Sequence, residues 1–317
     1  AWRAPRVGGA RVSLGVASDS GDASAGDFGA ESAPLLVVPD QAQQQYAFEE
    51  LVREALCGIG NEEIRKVVVA RSSRMVPGDG FELDVDGTMR SVCAGGDRSI
   101  GFALNQPGGG SFVGLSPEVL LRVVDGNLTT HAVAGTTGRS DSAEGDRILG
   151  AALLASAKDR YEHRLVVQGI EDALSPVCEE LKSGEEPGLL PLATVQHLST
   201  AVRARLKPES SALDVVSRLH PTPALCGSPD DAALRWLVEH ERMERGWYAG
   251  PVGWLAPNGD ATFAVAIRSA LLREDCVHAF GGAGIVRGSD PTSEWHETEL
   301  KIEAVARRIV TRAVDHE

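Results

Sequence analysis

Apolar residues first recur with helical spacing over residues 43–56, where Phe48, Leu51, Val52 and Ala55 share one face. The pattern then changes. Ile64-Arg65-Lys66-Val67-Val68-Val69-Ala70-Arg71 is a β-branched run that predicts a buried strand carrying one lysine. Short apolar runs at 100–104, 111–115, 119–124 and 128–133, joined by Gly-rich turns, predict antiparallel strands. Residues 145–177 read as a long helical stretch broken near Ser156, and 194–205 as one long strand or a strand pair. Short helices follow at 212–219 and 232–241. Strands at 261–272 and 276–280 lead through Gly281-Gly282-Ala283-Gly284-Ile285-Val286, which reads as a glycine turn, into a last helix over 292–314. Ser289 and Pro291 stand where helix-start signals belong. Helices and strands neither alternate strictly nor segregate, and no internal repeat is visible, so the expected fold class is α+β. Residues 18–34, rich in Ser, Gly, Ala and Asp, read as a loop or arm.

Composition narrows the classes of function. The chain has 317 residues and a formal net charge of -14, with no Lys/Arg-rich stripe to meet phosphates, which argues against nucleic acid. Cys57, Cys93, Cys178, Cys226 and Cys276 are odd in number and never paired as Cys-x-x-Cys, so neither a disulfide framework nor a structural zinc is expected. A reducing cytosol fits best. No uncharged apolar run approaches the roughly 18 residues needed to span a bilayer, and residues 1–16 lack the apolar core of a signal peptide. No association helix stands out, so a monomer is the default expectation.

The candidate chemistry is carboxylate-rich. Asp159 and Glu162 are three residues apart in Lys158-Asp159-Arg160-Tyr161-Glu162-His163, and Glu294 and Glu297 are three apart in Glu294-Trp295-His296-Glu297, with Lys301 four further on. Each pair shares one helix face, so two facing helices would make an oxygen cage for a hard divalent cation such as Mg²⁺. Glu297–Lys301 and Lys158–Glu162 are also spaced as ordinary i,i+4 salt bridges on a solvated face. Lys66 among valines is either a desolvated amine able to act as a general base or a strand residue pointing to water. Glu118, after Ser116-Pro117, is either a general acid of raised pKa or a loop surface residue. Gly282-Ala283-Gly284 lacks the third glycine of a dinucleotide fingerprint, since Arg287 stands there, but its amides suit a carboxylate nest. Arg268 is a second anion-binding candidate or an exposed strand residue, and His197 is more simply a hydrogen-bonded structural histidine.

Taken together and in this order, these segments resemble the chorismate-utilising enzymes, the family of isochorismate synthase, salicylate synthase and the large component of anthranilate synthase. The matching stretches are Lys66-Val67-Val68-Val69-Ala70-Arg71, Gly114-Leu115-Ser116-Pro117-Glu118, Ala134-Gly135-Thr136, Lys158 through His163, and Gln196-His197-Leu198. They continue with Leu219-His220-Pro221-Thr222-Pro223-Ala224, Gly246-Trp247-Tyr248-Ala249-Gly250, Ala266-Ile267-Arg268-Ser269 and Gly282 through Lys301. The resemblance implies one integrated catalytic domain over 41–317, built of stacked, largely antiparallel sheets flanked by helices. Residues 1–40 would be a shortened N-terminal strand and loop region.

Carried over by position, the resemblance implies Glu162 and Glu297 as direct Mg²⁺ ligands, with Asp159 and Glu294 holding metal-bound waters. Gly282, Ala283, Gly284 and Lys301 would receive the ring carboxylate of chorismate. Tyr248 and Arg268 would hold the enolpyruvyl carboxylate, and Ala134, Gly135, Thr136 and His197 would complete the substrate site. Lys66 matches a water-activating lysine and Glu118 the acid that protonates the departing C4 hydroxyl. The implied activity is chorismate to isochorismate, with no glutaminase subunit. Salicylate synthesis by further pyruvate elimination, or a relative that binds without turnover, are the alternatives.

Overall fold

The computed structural model describes residues 12–15, 36–94, 99–106, 109–192 and 195–314. The valine-rich run becomes the strand Lys66–Pro77, whose first six residues are all buried. A strand that shows no alternation is covered on both faces, and that is the case here. One face packs under the helices Gln41–Gly60 and Pro291–Ala306, through Phe48, Val52, Val67, Val69, Ala283, Ile285 and Trp295. The other face looks towards a second sheet.

The first sheet runs Val12–Gly15, Ile100–Asn105, Ser111–Ser116, Ser269–Leu272, Val277–Val286, Lys66–Pro77 and Gly227–Ser228, with Leu36–Val37 also on Lys66–Pro77. The second runs Gly188–Pro191, Val195–Leu206, Asn127–Gly138, Val119–Val124, Ala261–Val265 and Pro251–Leu255, with Cys178–Ser183 beside Val195–Leu206. Their strand pairs are antiparallel, Lys66–Pro77 against Val277–Val286 and Asn127–Gly138 against Val195–Leu206 being the longest. Phe102, Phe112 and Phe280 from the first sheet share a core with Leu121, Leu128 and Val202 from the second and Val166 from the helix Ala157–Leu174. The architecture is the expected α+β arrangement of antiparallel sheets and flanking helices. No described helix is long and apolar enough to cross a membrane, and all five cysteines are free.

Two helices matter most for the site. Ser156 ends Ala143–Ala155 and caps Ala157–Leu174, its hydroxyl accepting from the Asp159 amide at 3.2 Å, so the break expected near Ser156 is a shared cap. Pro291–Ala306 starts at Asp290, whose carboxylate accepts from Ser293 N at 2.8 Å. Arg71 locks this helix to the first sheet. Its guanidinium lies 3.7 Å from the Trp295 ring centroid and donates to Thr298 Oγ1 and Glu299.

Several expectations need correction. Gly281 to Val286 is not a turn but the second half of the strand Val277–Val286. The run 261–272 is two strands, Ala261–Val265 in one sheet and Ser269–Leu272 in the other. The last helix ends at Ala306, and Thr311–Ala313 pairs with Phe81–Leu83. The helix stops because Ile309 is drawn into a third core and Val310 N donates to Thr88 Oγ1 at 2.8 Å. The arm read at 18–34, and most of the region 1–40, lie outside the described residues.

Candidate active site

A cavity lies between the two sheets. Its walls bring together Lys66, Glu118, Ala134, Gly135, Thr136, Glu162, His197, Tyr248, Arg268, Gly282, Gly284, Glu297 and Lys301 from nine stretches of chain. Two of these residues stand where the chain passes between sheets. Glu118 occupies the bend between Ser111–Ser116 and Val119–Val124, and Arg268 the crossing between Ala261–Val265 and Ser269–Leu272. The crossing is tight, with Arg268 held at φ 49° in the left-handed region.

One end of the cavity is made of carboxylate–lysine pairs. Lys66 is fully buried, which disposes of the water-facing reading, and its Nζ lies 2.9 Å from Glu162 Oε1. Lys301 Nζ donates to Glu297 Oε1 at 2.5 Å and to the Gly282 carbonyl at 2.8 Å. The i,i+4 bridge of a solvated face is thus present, but turned into the cavity. Behind it, Lys158 Nζ donates to Glu294 Oε1 at 2.7 Å. Lys158 therefore pairs across 136 residues rather than with Glu162, its neighbour at i+4. Burial, then the charge of Glu297, pushes Glu294 up to about 7 against the pull of Lys158. For Glu297, burial acts upwards, but the charge and hydrogen bond of Lys301 together with the charge of Lys158 make the net shift downward.

The glycines make this packing possible. In a strand, alternate residues face opposite sides. Gly282 and Gly284 face the cavity, and a Cβ on Gly284 would stand 2.0 Å from Glu162 Oε1. Ala283 faces the other way, and its side chain is wholly buried in the core under the helices. The carboxylate nest is replaced by a ladder in which Gly282, Ala283 and Gly284 pair with Ala70, Val69 and Val68. Asp159 lies behind Gly135, where its carboxylate accepts from the Ser156 hydroxyl.

The opposite end holds polar groups with few partners. Burial pushes Glu118 up to about 7, although Arg268, Lys301 and Lys66 pull it down. Burial also pushes the Tyr248 phenol up to about 12, leaving it a donor at neutral pH. His197 Nδ1 lies 3.0 Å from Thr136 Oγ1 and 3.2 Å from the Gly135 carbonyl, while its Nε2 faces Arg268 Nη2 at 3.3 Å. A carbonyl only accepts and a guanidinium only donates, so the hydrogen-bond network assigns the neutral tautomer with the proton on Nδ1. Burial and the Arg268 charge agree, holding His197 down to about 3. Among the described residues no carboxylate lies within ion-pair distance of Arg268.

Whether this donor set suits a metal is a question of chemistry and space. Among the described residues no three His, Cys, Asp or Glu side chains already converge as a ligand set. Glu162, Glu294 and Glu297 are nonetheless hard oxygen donors crowded enough for Glu297 to raise Glu294, and Gly284 leaves room beside Glu162. A hard cation fits that set.

Sequence reasoning missed Arg245. It lines the cavity, is paired to Glu241, and donates to the Val68 carbonyl at 2.7 Å, bracing the Lys66 strand. Only the Glu241-to-Arg245 i,i+4 spacing hinted at it.

A family model described as chorismate binding enzyme matches residues 25–310. The chain belongs to the chorismate-binding enzymes. A salicylate biosynthesis isochorismate synthase from Pseudomonas aeruginosa is 44% identical over 264 residues, covering 83% of this chain and 55% of that one. Isochorismate synthase EntC of Escherichia coli K12 is 36% identical over 272 residues, covering 86% and 69%. The solved structure of MenF, the menaquinone-specific isochorismate synthase from Escherichia coli, superposes with a TM-score of 0.76 at 30% identity, covering 88% and 64%. The chain thus spans little more than half the length of the Pseudomonas relative. The residues lining the cavity all lie within the matched range.

Proposed function

We propose that this chain converts chorismate to isochorismate. The observation that carries the reading is one cavity holding a buried lysine, a half-buried glutamic acid pushed up to about 7, and an arginine with no carboxylate partner among the described residues. Arg268 and the Tyr248 hydroxyl suit one carboxylate of a dianion, and Lys301 the other. Lys66 takes a proton from water as the water oxygen bonds to ring C2. Glu118 gives its proton to the C4 hydroxyl, the C4–O bond breaks, and the ring double bonds shift between the two carbons. Atoms balance, since one water enters and one leaves. Similar bonds are made and broken, so the equilibrium lies close to balanced.

Glu162 and Glu297 would hold Mg²⁺, with Glu294 and Asp159 behind them. An ion held there would supply positive charge for a substrate carboxylate and would offer Glu162 a partner other than Lys66. An amine ion-paired at 2.9 Å is not a free base, so Lys66 acts only when Glu162 is engaged elsewhere. This refines the simpler expectation of a lysine kept neutral by desolvation alone. Water is the nucleophile, and no ammonia-supplying glutaminase is required.

The test is product analysis after incubation with chorismate and Mg²⁺. Isochorismate without pyruvate supports the reading; accumulating pyruvate points to salicylate synthase, and bound but unchanged chorismate to a binding protein. Lys66→Gln should lower turnover by about 10³-fold or more while calorimetric Mg²⁺ binding persists. Near-normal product from that variant removes Lys66 from the mechanism.

A further inference from the structure

Lys158 has no part in the steps above, yet it is one of three lysines set among the carboxylates, the one paired with Glu294. Its Nζ is 2.7 Å from Glu294 Oε1, and the charges of Glu162 and Glu297 act on the same ammonium. Lys66 and Lys301 already hold Glu162 and Glu297. The two members of the Lys158–Glu294 pair differ in exposure. The Glu294 side chain is 2% exposed and that of Lys158 30%. On its open side Lys158 lines a second cavity, together with Glu62, Arg65, Tyr161 and Arg287. The lysine stem thus has room to withdraw, and a carboxylate at Glu62 on the wall it would withdraw towards.

We propose that Lys158 is a tethered monovalent cation that occupies the carboxylate cluster in the metal-free protein, and that a metal ion enters by displacing it. The inference rests on the reading of Glu162 and Glu297 as metal ligands. A free Na⁺ or K⁺ carries the same charge as the ammonium and lacks the tether, which keeps the ammonium at high local concentration. A divalent ion gains about twice the Coulomb energy from the same oxygens. Lys158 therefore makes the site selective for divalent over monovalent ions, at the expense of divalent affinity.

The experiment is calorimetric titration of Mg²⁺ into the full chain and into Lys158→Met at pH 8.5, where protons compete least for Glu294. Lys158→Met should bind Mg²⁺ about tenfold more tightly. Its melting temperature should also rise with added KCl beyond the response of the unaltered chain. Arg65→Met, which removes the same charge from the outer cavity without touching Glu294, should change the Mg²⁺ affinity by less than about twofold. Lys158→Gln, which can still hydrogen-bond Glu294, should move in the same direction and decides the matter if Lys158→Met does not fold. Unchanged or weaker Mg²⁺ binding in the Lys158 variants overturns the proposal, as does an equal shift in Arg65→Met. Mg²⁺ binding to neither chain overturns it together with the metal assignment. A tenfold difference in a protein that makes no isochorismate would sink the proposed reaction and leave this inference standing.

Discussion

The two ends of the cavity solve opposite electrostatic problems. At one end every buried carboxylate has a lysine: Glu162 with Lys66, Glu294 with Lys158, Glu297 with Lys301. At the other end Glu118 and Arg268 are half-buried, and among the described residues neither makes an ion pair, Arg268 facing the neutral His197 imidazole at 3.3 Å. Buried charge is costly unless paired, so the first end is satisfied by the protein alone and the second is left for a ligand to complete. Under the proposed function the paired end would exchange cations and the unpaired end would receive an anion. A dianion lying between them supplies what Arg268 lacks.

The largest way to break that contrast is Glu118→Gln, which keeps shape and removes the proton. Turnover should fall by about 10³-fold, within the usual range for a general acid. In the unaltered chain the rate should decline as pH rises past about 7, because a carboxyl of raised pKa is protonated below that value and loses its proton above it. The residual rate of Glu118→Gln should lack this decline. A variant that keeps it assigns the ionisation elsewhere.

Stability offers the next test, since neutral buried histidines stand at both ends. Burial, then the Lys66 charge, holds His163 down to about 4, and its Nε2 bonds Thr200 Oγ1 at 2.8 Å. The unfolded chain binds this proton near the ordinary value of 6.5, whereas the folded chain resists to about 4. The contribution is therefore complete above pH 6.5 and lost as pH falls towards 4, and amounts to about 3 kcal/mol. Urea unfolding at pH 7 and pH 4 should show His163→Gln losing that much less on acidification than the unaltered chain. An equal loss in both would place the acid sensitivity in the carboxylates.

Much of this site was legible because chemistry-bearing residues sit in short, distinctive runs. Lys66 within its valines, Glu118 after Ser116-Pro117, and the two acidic helices were each identifiable. What was hidden depends on contacts distant in the chain. Glu294 finds Lys158 across 136 residues, and no spacing rule favours that partner over Glu162 at i+4. Gly281 to Val286 looks like a turn because glycine usually marks one. It is a strand because Gly282 and Gly284 are needed flat against Glu162 and Tyr248, while Ala283 and Ile285 fill the opposite core. The sheet crossing before Arg268 carries neither Gly nor Pro, so nothing local announced it.

Removing the unpartnered cation sharpens the comparison further. Arg268→Met should raise KM for chorismate by about 10- to 100-fold, the usual worth of a charge-assisted contact, with kcat much less affected. Lys301 is held by Glu297 and the Gly282 carbonyl, so Lys301→Met should perturb metal binding as well as KM. Equal effects of the two variants on both quantities would erase the distinction between the ends.

The smallest expected effect tests how Arg268 is aimed. Its neighbour His197 is held through Nδ1–H by two acceptors, Thr136 Oγ1 at 3.0 Å and the Gly135 carbonyl at 3.2 Å. Thr136→Val keeps the branched shape and removes only the hydroxyl, leaving the carbonyl to fix the tautomer. One neutral hydrogen bond of about 1 kcal/mol is lost, so kcat/KM should fall about fivefold. The pH dependence should be unchanged, because Glu118 still carries the titrating proton. A fall of a hundredfold would mean that Thr136 touches the substrate directly, and that the unpaired end is completed by the ligand through a hydroxyl as well as a guanidinium.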